Sequence, residues 1–583
     1  MKFLTALLAF FLAASALFAT EPLYTVDLIT SSEGHWLMAQ KGRQSIEERS
    51  DETGELLRSI SLKQSPTGLV RDAKNLYVTT FEEQGMLEVF DLATGKPLWQ
   101  IELASGACSP VLSPDGATLY VCNQFAGNVM GIDLASKTVK LSVKLLREPK
   151  NCVLTDGGRY LYVANFLPHM AATEDHVAAC VSIVDVTEAK LVRNIELANG
   201  SNALRGIALS PDGLYVYVTH NLGRYTVPTS QLQQGWMNTS AFSVIATKNQ
   251  EYLGTIIVDE PELGAAGIWD IDCDADFIYI THSGTHELSR IRQSAMLERL
   301  LKYEDNENLA YDLRFLYGLR DLLPLEGNGP RNLLLSKGKI VVPSYFSDHL
   351  NIADARSLDL KMLEINPERT ETAAQKGEKY FNDARLCFQR WQSCNGCHPG
   401  DARTDGMNWD LLNDGVGNPK NCKSMLFSHE TAPSMITGVR VSAELAVRKG
   451  FTHIQFYQVD EEYALCVDEY LKGLRPVASP YLVKGELSES AQRGKKIFEE
   501  RHCGFCHSGP MFTDRKMHDI GEDVEFEEGW DTPTLREVWR TAPYLFDGRA
   551  ATMKDVFLQH KHAIRGEITP EEAQDLSNYV LSL

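Results

Sequence analysis

The chain is short of positive charge: 57 Lys and Arg stand against 78 Asp and Glu, a formal net charge of −21. That deficit removes nucleic acid as a default partner, because phosphate binding rests on clustered basic side chains. It leaves room for docking of a basic electron carrier, although acidic surface also serves plain solubility. Long apolar runs are equally scarce. After residue 18 nothing approaches the roughly 18–20 consecutive apolar residues of a membrane helix. The one apolar run opens the chain behind Lys2 and ends in small residues around 13–19, the pattern of a secretory signal peptide over 1–19. No cysteine follows it, which argues against a lipid anchor. The expectation is an exported, periplasmic protein with no membrane span.

Cysteine is not scarce. Four of the twelve fall in two copies of one pattern, Cys394-Asn395-Gly396-Cys397-His398 and Cys503-Gly504-Phe505-Cys506-His507. Two thiols three apart add to the vinyl groups of one haem, and the next histidine ligates its iron. Two such patterns arise by accident in about one chain in 50,000 of this composition. Zinc hooks are the alternative, since paired thiols also suit zinc; the histidine after each pair and the oxidising compartment favour two covalent haem c groups. His398 and His507 are then the proximal iron ligands. Of the remaining cysteines, Cys387, Cys422 and Cys466 lie near the signatures, and one disulfide among them is expected.

Residues 20–366 repeat. The β-rich cores "HWLMAQ", "NLYVTT", "TLYVCN", "YLYVAN", "YVYVTH", "FIYITH" and "KIVVPS" recur every 40 to 62 residues, several after turns such as "SPDG" (113–116 and 210–213). Four strands per unit of about 42 residues is a β-propeller. Seven cores predict seven blades, with six the alternative, and the strand "LYTVDLIT" (23–30) is expected to close the ring by pairing with the last blade. Residues 290–319 read as a helical insertion. The units resemble the YVTN-type propellers of exported bacterial proteins. His220, His282 and His286 are placed to line one end of the channel, as metal ligands or as ordinary loop and core histidines.

The last third is written twice. "AQKGEKYF" (374–381) and "AQRGKKIF" (491–498) precede the two signatures, and "TAPSMITG" (431–438) answers "TAPYLFDG" (541–548). These spacings predict two helical cytochrome c-like domains, 367–475 and 476–583, the second closed by a helix with Thr569 as N-cap, Pro570 at N1 and Glu572 completing a capping box. With these motifs, "DGMNWDLLNDGVGNPKN" and "TPTLREVWRTAPYLFDGR", residues 370–583 resemble the di-haem family of bacterial cytochrome c peroxidases and the methylamine dehydrogenase maturation enzyme. The fold class is thus an all-β propeller joined to all-α tandem cytochrome c-like domains.

The resemblance implies that one haem reacts with peroxide and the other relays electrons. It places the second haem's distal ligand at His560, with His562 the alternative and Met511, Met517 and Met553 behind them. It points to His453 and Gln455 on the distal side of the first haem, as ligand or acid–base groups, and to a calcium ion between the haem domains. Where the family has Trp-Asp-Gly between its haems, this chain has Ile436-Thr437-Gly438, so an electron bridge falls to Trp391, Trp409 or Trp539, or to direct edge-to-edge transfer. The expected function is a di-haem oxidoreductase that reduces H₂O₂ or uses it to oxidise a redox protein partner. The alternative is an electron-transfer cytochrome docked through its propeller, and a third reading has the haems oxidising a substrate that the propeller holds.

Overall fold

The computed structural model describes residues 20–227, 237–411, 419–520 and 528–583. The leader expected over 1–19 lies outside them. Seven antiparallel sheets follow one another between Thr25 and Glu364, each a blade built from consecutive strands. The seven recurring cores form the second strand of each blade. Their burial is nearly continuous, as in Thr118–Asn123, because each blade is packed between two neighbours. Outer strands such as Thr138–Lys144 alternate between exposed and buried positions instead. The two "SPDG" turns use the same chemistry. Asp115 and Asp212 each accept the backbone N–H two residues on, at 3.0 Å, and Gly116 and Gly213 take positive φ of 67° and 74°.

The ring does not close as expected. Thr25–Thr30 pairs with Trp36–Gln40 as the first strand of blade 1, and blade 7 has four strands of its own between Leu334 and Glu364. Exchange would leave three strands in one blade and five in the other. Closure is made by side chains and one short bridge: the Leu23 N–H donates to the Asp348 carboxylate, Lys337 Nζ lies 2.9 Å from Asp51, and Thr20 bridges Arg369. The insertion folds as helices Gln293–Leu301 and Asn306–Leu309, whose Met296, Leu300 and Leu309 bury against blade 5 and 6 residues such as Phe242 and Ile278.

The C-terminal region is mainly helical and repeats one arrangement. Its opening helices, Ala373–Asn382 and Glu489–Glu500, are capped by Thr372 and Ser488. The closing helices are Glu461–Gly473 and Pro570–Leu581, the latter with the capping box read at Thr569. Each opening helix crosses its closing helix at a glycine. A Cβ on Gly377 would sit 1.8 Å from the Cys466 carbonyl oxygen, and one on Gly494 1.9 Å from that of Asp575. The glycine shared by "AQKGEKYF" and "AQRGKKIF" is thus what lets the two helices touch.

The expected disulfide is not formed: among the described residues all twelve cysteines are free. Cys466 faces the opening helix, Cys422 lies against His398, and Cys387 sits in the turn before Trp391, so the three occupy separate places. No helix among the described residues is long and apolar enough to cross a membrane.

An Ala in place of an exposed helical Gly normally stabilises by about 1 kcal/mol. At these crossings the sign reverses. Gly377→Ala and Gly494→Ala should each destabilise their domain by about 1–3 kcal/mol through overpacking, read as a lowered calorimetric unfolding transition.

Candidate functional site

The two signatures open on one cavity of about 1440 Å³, lined by Cys394, Cys397 and His398 and by Cys503, Cys506 and His507. Both signatures have the same local geometry. Each histidine N–H donates to the carbonyl of the first cysteine at 3.0 Å. Each ring Nδ1 then donates to a carbonyl five residues on: His398 to Arg403 at 3.0 Å, His507 to Phe512 at 3.1 Å. That bond fixes the tautomer and leaves the Nε2 lone pair for a ligand; at the first site Cys422 Sγ is the neighbour of that nitrogen, at 3.9 Å. Burial lowers both imidazole pKa values, keeping the rings neutral and fit to ligate.

The donor set fits covalent haem better than zinc. Burial pushes the Cys394 thiol up to about 12 and the Cys397 thiol well above its usual value. A thioether sulfur carries no charge and loses nothing on burial, and zinc, which would itself deprotonate the thiols it binds, is disfavoured by the number of ligands at hand. Among the described residues no cluster of three or more His, Cys, Asp or Glu stands ready for a metal ion. Nor does such a cluster stand, among the described residues, at the seam between the two helical domains for the calcium ion that the resemblance implies; Lys423 spans that seam to Asp531 at 3.0 Å.

The two sites differ on the side facing their histidine. At the second, the His562 ring faces His507 with centroids 6.4 Å apart. Two imidazoles sharing one metal at bonds of about 2.0–2.1 Å stand roughly 6 Å apart, so the pair fits an iron between them. Burial, with a smaller push from His507, holds His562 down at about 4 and therefore neutral. The chain leaving helix Met553–Leu558 turns so that the His562 N–H reaches the Val556 carbonyl, which aims the ring inward. His560 is not among the cavity-lining residues; its Nε2 is buried without a partner. Met553 lines the cavity, Met517 packs against Gly438, and the Met511 carbonyl accepts from Thr534.

At the first site no second imidazole stands on the cavity among the described residues: its other histidines, His502, His507, His518 and His562, all belong to the second copy. His453 is exposed, with Nδ1 2.7 Å from Thr452 Oγ1. A π-type turn over Gly450–Ile454 inserts an extra residue here, rotating His453 outward and Gln455 inward. Gln455 is buried on the cavity wall. Its Nε2 donates to Cys394 Sγ at 3.2 Å, and its Oε1 has no partner.

The histidines of the propeller are structural. His220 spends its ring nitrogens on Asn221 O and Ser243 Oγ, and His282 on Ala265 O and Ser289 Oγ. His286 Nδ1 accepts from Gly329 N–H, while Nε2 lies 3.2 Å from Asp383 of the first haem domain. His220 and His282 have no nitrogen to spare for a metal, and His286 makes an ion contact with Asp383 that docks the propeller to the first helical domain.

Of the tryptophans weighed as bridges, Trp391 packs against Gly264 of the propeller and Trp539 lies edge-on to Phe125 there. Trp409 lines the cavity, its Nε1 bonded to Asp405. The residue that sequence reasoning missed is Trp530. It stacks on Phe546 at 4.1 Å and 10° on the cavity wall. Next to it Asp531 N–H donates to Ile436 O, and Asn421 N–H donates to Phe546 O, so the stack sits on the seam between the copies.

The propeller reaches the first signature directly. Asn238 Nδ2 donates to Cys397 Sγ at 3.1 Å, and Asn221 approaches the Gly396 carbonyl at 3.5 Å. All three parts meet at Glu537, which binds Arg403 at 2.7 Å and Arg540 at 3.3 Å, all three side chains almost fully buried. Arg540 also lies over Phe125 and donates to Gly400 O.

No family model matches the chain. Hydrazine synthase subunit gamma of Kuenenia stuttgartiensis is 28% identical over 272 residues, 36% of this chain and 76% of that protein. Methylamine utilization protein MauG of Methylophilus methylotrophus is 25% identical over 268 residues, 36% of this chain and 80% of that protein. A solved structure of Kuenenia stuttgartiensis hydrazine synthase superposes with a TM-score of 0.53 at 19% identity, over 58% of this chain and 98% of that one, a likeness of fold. At low identity the chain is thus similar to hydrazine synthase subunits, MauG and a cytochrome c551 peroxidase, and it joins a mainly helical region to a seven-bladed β-propeller.

Removing one partner of a buried charge cluster leaves the others unpaired and costs about 3–5 kcal/mol. Glu537→Gln should therefore lower the unfolding transition of the haem domains more than any exposed ion-pair change, such as Glu298→Gln, which should stay within about 0.5 kcal/mol. Denaturant titration of the two variants checks the contrast.

Proposed function

We propose that the chain is an exported di-haem c oxidoreductase of cytochrome c peroxidase type, in which the second site relays electrons and the first binds peroxide. The carrying observation is the asymmetry of the cavity: two imidazoles face each other at the second site, and only one, with an unpartnered amide oxygen, stands at the first. Cys394, Cys397, Cys503 and Cys506 bind the two haem groups, and His398 and His507 hold them from the proximal side. Haem iron supplies one-electron transfer and, where its sixth position is open, a place for peroxide. His562 closes the second site. Gln455 orients a ligand at the first. Trp530 and Phe546 span the seam between them, where the family's Trp-Asp-Gly is replaced.

Exposure gives the direction of flow. Phe505, inside the second signature, is 79% exposed, whereas the first signature is backed by Asn238 and Asn221 of the propeller. A redox protein partner therefore meets the second site, and H₂O₂ is reduced at the walled one. The opening apolar segment supports export, where haem is attached.

Electron paramagnetic resonance of the oxidised and one-electron-reduced holoprotein, with and without H₂O₂, tests this reading. A high-spin ferric signal that peroxide consumes is expected, beside one low-spin signal that His562→Ala converts. Two low-spin signals unmoved by peroxide in both redox states would leave only an electron relay docked by its propeller. Trp530→Leu should slow electron exchange between the haems at least tenfold in flash-photolysis traces without moving either spectrum.

A further inference from the structure

Peroxide reduction consumes two protons with its two electrons, H₂O₂ + 2H⁺ + 2e⁻ giving two waters, and the electrons come from the redox protein partner. His453 faces solvent, so it does not serve the first site, and no carboxylate of the first copy lines the cavity among the described residues. One hydrogen-bonded chain of the first copy does end on its wall. Ser428 lines the cavity, and its Oγ lies 3.3 Å from His429 Nδ1. His429 Nε2 lies 3.1 Å from Asp468 Oδ1, with side-chain exposures of 4% and 1%. Asp468 is held on its other oxygen by Arg448, which also pairs with Glu461 at the surface.

We propose that His429 is the proton-relay residue of the first site, acting on the cavity through the Ser428 hydroxyl, with Asp468 as its orienting partner; this rests on the peroxidase-type reading above. Asp468 accepts from Nε2–H, which leaves Nδ1 to face Ser428 and stabilises the imidazolium that forms there. In the relay step Nδ1–H passes its proton to Ser428 Oγ as the hydroxyl proton passes to a peroxide oxygen. Nδ1 then takes a proton back from solvent and passes it on in the same way, so that two passages supply the two protons of the reaction. The groups facing this imidazole are few. Asp468 comes from the closing helix, Arg448 and Glu444 from helix Ala443–Lys449, and burial of Asp468, which would raise its pKa, is outweighed by its bonds to His429 and Arg448. The buried carboxylate that lines the cavity, Asp531, belongs to the second copy and is tied to Lys423.

A purely structural histidine would pin the loop to the closing helix and nothing more. Two measurements on the holoprotein separate the roles. In stopped-flow mixing with H₂O₂, Ser428→Ala and His429→Gln should slow the haem absorbance change by about 10²-fold or more, the usual scale of acid–base assistance. Both should lose the pH dependence of the wild type, while Ser428→Thr, which keeps the hydroxyl, stays within about threefold. Spectroelectrochemistry adds a readout that needs no turnover: the first haem's potential should fall with rising pH in the wild type and be flat in His429→Gln. Wild-type rates and pH profile retained in His429→Gln, or a wild-type potential independent of pH, would overturn the relay. A protein inert to peroxide whose potential still tracks pH through His429 would overturn the peroxidase reading and keep the proton link.

Discussion

The arrangement turns on a buried carboxylate. Glu537 lies in the second haem domain, Arg403 in the first, and Arg540 reaches from the second onto Phe125 of the propeller. A charge this deep is tolerable only with both guanidinium groups in place, so the three parts must be seated together. The cluster is also tied to the chemistry. The Arg403 carbonyl accepts from His398 Nδ1, and Gly400, two residues past that histidine, accepts from Arg540. Seating the domains therefore sets the orientation of His398, the residue proposed to ligate the first haem.

Duplication supplies two equal frames, and local departures make them unequal. The frames agree in detail: the same histidine-to-carbonyl bonds, the same glycine crossings, and the same bridges closing the "TAP" loops, Ser434 to Arg440 and Tyr544 to Ala550. The departures are short. A π-type turn swings His453 away at the first site, and the turn after Leu558 swings His562 in at the second. Each changes one histidine position without disturbing the scaffold, which is how one fold comes to hold, among the described residues, a facing pair of imidazoles at one signature and a single imidazole at the other.

What was legible in the sequence was what neighbours along the chain decide. The second strands of the blades, the "SPDG" turns, the capping box at Thr569 and the paired signatures depend on residues within a few positions. The choice between His560 and His562, and the direction of His453, depend on helical phase, and one extra residue in a turn reverses them. Ring closure was misread because a strand pattern does not say which sheet it joins. Trp530 was passed over because its counterpart in the first copy is Lys420, so comparing the copies drew no attention to it. His429 was hidden for the same reason, standing opposite Trp539.

The propeller explains why the two sites can stay different. A seven-bladed ring is rigid, because every blade is held on both faces. It meets the first signature through amides: Asn238 donates to Cys397, and a Cβ on Gly396 would press on Asn238 at 3.1 Å. The second signature has no such wall, and Phe505 stands in solvent. A site that must admit a partner protein gains from that exposure. In the proposed function, the site that holds a reactive ligand gains from enclosure, since fixed amides strengthen each polar contact made there. Under that proposed function, fusing the ring to the duplicated helical frame assigns the walled role to one copy and the open role to the other, and leaves acid–base supply to groups inside the first copy itself.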